Sequence, residues 1–159
     1  MNMIDFYIDT VCDDTMSFDS GYSVFNEYLR SGADSAVVHY ILDSESDNLI
    51  AYFSLISSAI IHDDPDKLNA ISAIELKMFA LDKRYHGLNL SSIPLDAVIK
   101  TIKHFSNRYV GANVILLYSV PVSHIIQLYE SKGFKQLGKD LTAFRSYFTE
   151  GCIPMYMAL

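Results

Sequence analysis

Between Ile71 and Tyr109 the chain reads ISAIELKMFALDKRYHGLNLSSIPLDAVIKTIKHFSNRY, and no other stretch constrains the fold as much. An apolar segment of strand character ends at Leu81, and the polar turn DKRYHGLN follows. A helix of about five turns then starts at a Ser-Ser pair, with Pro94 in its first turn. A strand, a glycine-bearing turn and a helix in succession can present unpaired backbone N–H groups to an anion. Lys83, Arg84 and His86 are the densest basic cluster, too small for an extended backbone track and suited to one phosphate group.

The remaining segments supply a sheet for this unit. Residues 3–9 predict a first strand, and Val24, Phe25, Tyr28 and Leu29 mark one face of a short helix after the turn Asp19-Ser20-Gly21. Residues 35–42 and about 49–61 predict two strands joined as a hairpin through SESDN. After the acidic loop HDDPDKLN comes the fourth strand, from about 71 to 81. The long helix should bury Ile93, Val98, Ile99, Ile102 and Phe105, and residues 111–120 predict an interior fifth strand. A helix over HIIQLYESK stops at Gly133, where a left-handed C-cap is wanted. Residues 134–137 with 143–148 predict strand six, and CIPMYMAL strand seven. The order β-α-β-β-β-α-β-α-β-β is a mixed α/β (α+β) sheet, parallel where helices cross over after strands four and five and antiparallel in the hairpin before them.

The length of 159 residues suits one domain, residues 1–159, with a sizeable core, and a half-hydrophobic composition excludes disorder. No apolar run approaches the length of a membrane span and no basic segment precedes an apolar one at the start, so a cytoplasmic protein with no membrane partner is expected. Cys12 and Cys152 lack metal or redox spacing and read as reduced thiols. His39, His62, His104 and His124 show no metal spacing either, so no metal is expected. The net charge of −7 repels nucleic acid at long range.

These segments resemble, over nearly the whole chain, the GCN5-related N-acetyltransferase (GNAT) family. FDSGYSVFNEYLRSGA resembles the early segment of acetyltransferase toxins and their stand-alone relatives, and NLIAYFSLISSAI resembles the family's third strand. LDKRYHGLNLSSIPLDAVI resembles motif A, IIQLYESKGFKQLG resembles motif B, and IPMYMAL the last strand. The resemblance implies a GNAT-like acyl-CoA N-acyltransferase fold, a central mixed seven-stranded sheet flanked by helices and splayed between strands four and five. It also implies acetyl-CoA as the acetyl donor. The family's acetyl-CoA loop is Gln or Arg, any two residues, Gly, any residue, then Gly or Ala. The matching window here is His86-Gly87-Leu88-Asn89-Leu90-Ser91, a register that puts Ser91 at the helix start as a cap, with Ser92 next. His86, Asn89 and Ser91 depart from the pattern, and a register beginning at Arg84 is the alternative. Because backbone N–H groups hold a diphosphate, Asn and Ser at these places are tolerable.

The resemblance further assigns the backbone of Phe79, Ala80 and Leu81 to the pantetheine arm and the thioester carbonyl, and Arg84 and His86 to phosphate contacts. It makes Tyr129 the acid that protonates the CoA sulfur, although Ile125, Ile126 and Tyr129 also read as a packing stripe. Glu75 sits in an apolar strand, where a carboxylate costs desolvation unless it meets water or a partner. It is the candidate base, with a structural ion pair as the alternative. The acids of HDDPD suggest a small-molecule or peptide amine as acceptor and disfavour nucleic acid. A toxin-like enzyme acting on charged tRNA and a non-catalytic interaction or CoA-sensing module are the alternatives. Dimerisation is common in this fold, and Tyr147, Phe148 and Tyr156 would supply an aromatic surface for a homodimer.

Overall fold

In the computed structural model, residues 4–32, 35–62, 70–87, 90–138, 141–143 and 151–159 are described. The strands are β1 (Phe6–Asp9), β2 (Val37–Asp43), β3 (Leu49–His62), β4 (Ala70–Leu81), β5 (Val114–Ser119), β6 (Lys135–Gln136), β7 (Leu141–Ala143) and β8 (Ile153–Ala158). The helices are α1 (Ser23–Ser31), α2 (Ser92–Arg108) and α3 (Ser123–Ser131), with a single 3-10 turn at Lys83–Tyr85. Seven strands run in the order β1-β2-β3-β4-β5-β8-β6, and β7 pairs with β3. The mixed sheet expected from the sequence is therefore present. The expected sixth strand is two short strands, β6 and β7, and residues 144–150 lie outside the described residues.

Contacts divide the chain into two units. The first comprises residues 1–55 and 77–98, the second 56–76 and 99–159, so that β3, β4 and α2 each contribute to both.

In the first unit, β1 pairs antiparallel with β2, and β2 with β3, which confirms the expected hairpin. Its core gathers Phe18, Tyr28, Leu29, Leu42, Leu49, Tyr52, Met78 and Ala80. Phe18 is fully buried and meets Tyr52 edge-on at 5.4 Å. Tyr52 in turn donates its hydroxyl to the Phe25 carbonyl at 2.7 Å, which ties α1 to the sheet. Gly32 closes α1 in the left-handed region at φ 59°, the conformation an L side chain adopts least readily. Val24, expected on the buried face, is exposed.

In the second unit, β4 and β5 are parallel, Ala73–Leu76 lying beside Val114–Leu117. β5 is antiparallel to β8, and β8 to β6. Ile60, Ala73, Val114 and Leu116 form its core cluster, with Ile71, Tyr118, Leu137 and Tyr156 against it. Along α2, Val98, Ile99 and Ile102 are buried as the periodicity predicts, and so is Leu95. Ile93 is not: at the first turn it is 44 % exposed, because its position one residue before Pro94 lies off the stripe that Leu95, Val98 and Ile102 define.

Candidate functional site

The turn after β4 is built on a buried carboxylate. Asp82 is fully buried, and its Oδ1 accepts the Arg84 backbone N–H at 3.0 Å and the Arg84 Nε–H at 2.8 Å. Its Oδ2 accepts an Arg84 guanidinium N–H at 3.1 Å and the Asp19 backbone N–H at 3.0 Å. Burial pushes the Asp82 pKa up, but these donors and the Arg84 charge outweigh it and leave the group below the usual carboxylate range. One residue on, Lys83 donates its backbone N–H to the Asp19 carbonyl at 2.8 Å and pairs its ammonium with the Asp19 carboxylate at 2.6 Å. Asp19 also accepts from the Gly21 N–H and the Asn26 amide, and the Lys83 hydrogen bond, first among these contacts, holds its pKa far below the usual value. The segment Phe18-Asp19-Ser20-Gly21 is thus clamped to Asp82-Lys83-Arg84. Sequence reading saw both segments and missed the clamp, because its partners are 63 residues apart.

This clamp changes what the turn can offer an anion. The cationic side chains expected at a phosphate, Lys83 and Arg84, are both neutralised by carboxylates. His86 lies with Nε2 at 2.9 Å from the Leu81 carbonyl, an acceptor, so Nε2 carries the proton. Gly87 has φ +77°, and a Cβ built there would have open space around it. The Ser91 carbonyl accepts the Leu95 N–H at 3.3 Å as α2 begins at Ser92, so Ser91 stands in the N-cap place expected for it. What the turn has left to offer an anion is therefore backbone and the positive end of the α2 dipole. Leu88 and Asn89 lie outside the described residues. Phe79, Ala80 and Leu81 form the end of β4 before this turn. Leu90, Ile93 and Pro94 line a shallow apolar recess with Ile4, Phe6, Ile50 and Tyr85.

The two residues expected to carry chemistry lie in the second unit. Glu75 is buried in β4 and sits in register with Leu116 of β5, so it shares a sheet face with Leu116 and with Ala73. Tyr129 is half-buried near the end of α3. Burial pushes its pKa up to about 12, so the phenol keeps its proton at neutral pH.

Its placement follows from a helix-termination motif. The Phe134 N–H donates to the Tyr129 carbonyl at 3.2 Å and the Gly133 N–H to the Glu130 carbonyl at 3.0 Å. This is the paired bonding of a Schellman motif, with Gly133 at φ +101°. The hydrophobic contact that accompanies such a motif is here Tyr129 against Phe134, edge to face with centroids 5.7 Å apart. The spacing Tyr-x-x-x-Gly-Phe is therefore a device for fixing a tyrosine ring at the end of a helix.

Among the described residues no group of His, Cys, Asp or Glu could hold a metal ion, and no helix is long and apolar enough to cross a membrane. Of the other expectations, Asp63, Asp64 and Asp66 of the acidic loop, and Tyr147 and Phe148, lie outside the described residues.

No protein-family model matches the sequence, and no curated protein matches it. Solved structures do. A bacterial toxin superposes with a TM-score of 0.75 at 16 % identity, covering 98 % of this chain and 92 % of its own. AtaT complexed with acetyl-methionyl-tRNAfMet has a TM-score of 0.67 at 16 % identity, covering 92 % and 98 %. A mutant AtaT toxin bound to acetyl-CoA and the C-terminus of the antitoxin AtaR has a TM-score of 0.69 at 15 % identity, covering 97 % and 93 %.

These neighbours overturn one expectation from the sequence. A small-molecule or peptide acceptor, with nucleic acid disfavoured, was inferred from net charge and the HDDPD acids, yet a protein of this fold is solved with a tRNA. Net charge averages over the whole chain, while an RNA meets only one surface of it. The chain has the GNAT-like fold that these toxins share.

Proposed function

We propose that the chain is an acetyl-CoA-dependent N-acetyltransferase whose acceptor is the α-amino group of an aminoacyl-tRNA. The observation that carries this reading is the likeness, across 92 % of this chain and 98 % of the other, to a toxin solved with an acetylated aminoacyl-tRNA. The turn fits the donor's diphosphate through backbone: Gly87 leaves room for close approach, and α2 begins beside it.

In the reaction, the neutral amine attacks the thioester carbonyl, the C–N bond forms and the C–S bond breaks. The backbone N–H groups at Phe79–Leu81 support the carbonyl oxygen as it gains charge. Tyr129 gives its proton to the departing thiolate, a task its protonated phenol suits. Glu75 takes up, or orients, the proton that the amine loses.

The test is transfer of labelled acetyl from acetyl-CoA to a panel of charged tRNAs, followed by release and identification of the acetylated amino acid. Transfer to at least one, lost in Tyr129→Phe, is the expected result. No transfer to any charged tRNA by protein that binds acetyl-CoA would overturn the acceptor assignment.

A further inference from the structure

The charge of the chain is unevenly divided. Residues 1–55 and 77–98 hold twelve carboxylates and four cationic side chains, a net −8. Residues 56–76 and 99–159 hold seven and eight, a net +1. Within the second set there is no carboxylate between Glu75 and Glu130. Asp96, in the first half of α2, is exposed one turn before Lys100, and the second half of the helix carries no carboxylate. Its Lys100, Lys103, His104, Asn107 and Arg108 are all exposed, and their spacing puts them on one stripe. From Lys100 to Arg108 the stripe is about 12 Å long at the helical rise of about 1.5 Å per residue.

Lys83 and Arg84 are bound to carboxylates, whereas Lys100, Lys103 and Arg108 make no ion pair among the described residues. Among the described residues no carboxylate takes up their charge. Arg108, in the last turn, also complements the helix dipole, but that effect fades within a turn and does not account for Lys100 and Lys103.

We infer that this face of α2 is an RNA-docking surface that holds the phosphate backbone of the charged tRNA. The inference rests on the acceptor proposed above and adds the place where its backbone is held. Contacts of this kind fix position and carry no base sequence, so the stripe serves any tRNA body and leaves selection of the amino acid to contacts with the aminoacyl group itself.

The test compares wild type with Lys100→Gln/Lys103→Gln/Arg108→Gln for binding of a purified charged tRNA across a salt series. Acetyl-CoA affinity and thermal melting serve as checks on the fold. If three phosphate contacts are lost, the slope of log K against log salt falls by about 3, and binding at low salt weakens more than tenfold. A Lys100→Arg/Lys103→Arg variant, which keeps the charge, should bind like wild type.

An unchanged salt slope in a folded triple variant overturns the inference, and so does equal loss in the charge-keeping variant. The binding slope is read without turnover. If wild type binds tRNA through the stripe but acetylates none, the acceptor proposal fails and the docking surface stands. If wild type acetylates charged tRNA and the triple variant keeps its slope, the docking surface fails alone.

Discussion

Replacing Gly133 by alanine tests whether the end of α3 is what positions Tyr129. Gly133 has φ +101°, while a Cβ there would meet only Met157 Sδ, at an ordinary 3.5 Å. The cost is therefore backbone strain with no steric clash, about 1–2 kcal/mol for an L residue held in left-handed geometry. For a chain of this length that corresponds to a fall in melting temperature of about 2–8 °C. The strain can be relieved by opening the two bonds that Gly133 and Phe134 donate to Glu130 and Tyr129. That releases the Tyr129 ring from Phe134, so kcat should fall while KM for acetyl-CoA holds. Urea denaturation gives the stability and initial-rate kinetics the partition. Gly133→Asn, which tolerates left-handed backbone better, should lose less on both measures. A Gly133→Ala variant within about 0.5 kcal/mol of wild type, the scatter of ordinary surface changes, would refute the account of the motif.

Tyr129→Phe should lower kcat by about 10²–10⁴, the range for a lost general acid, with acetyl-CoA binding unchanged. Because burial raises the phenol's pKa to about 12, its contribution to folding is complete below the unfolded value near 10 and is lost as pH rises from about 10 to 12. The variant's stability should therefore be flatter than wild type's over that interval, and an identical fall in both would count against a desolvated hydroxyl. Asp82→Asn should cost about 1–3 kcal/mol, below the value for a fully buried pair because Arg84 is 48 % exposed. The Asp82 pKa is lowered, so its stabilisation is present above pH ~4 and lost as pH falls below that; acid titration of the variant should lack this component. Lys83→Ala should change acetyl-CoA affinity by less than about threefold, since its ammonium is already paired at the surface; calorimetry giving a larger loss would show that the side chain reaches phosphate.

The apolar run of β4, the stripe Val98-Ile99-Ile102 of α2 and the glycine that ends α3 were legible because each rests on local rules of composition, period and backbone conformation. The hairpin β2–β3 and the parallel pair β4–β5 followed from connection length and handedness. Tyr129 stood out through the resemblance of its LYESKGF segment to motif B, and Glu75 from being a carboxylate in an apolar strand. The weakest inference came from net charge, which has no spatial content and disfavoured nucleic acid although a protein of this fold is solved with a tRNA.

By itself the sequence determined the elements, most of their buried faces, and a strand-turn-helix of the kind that can present backbone to an anion, since these depend on residues a few positions apart. Only the tertiary structure decided which charges are spent and which are free. Asp82 and Asp19 consume the cations of the turn, while Lys100, Lys103 and Arg108 of α2 meet no carboxylate among the described residues, because ion pairing depends on which distant segments the fold brings within about 3 Å.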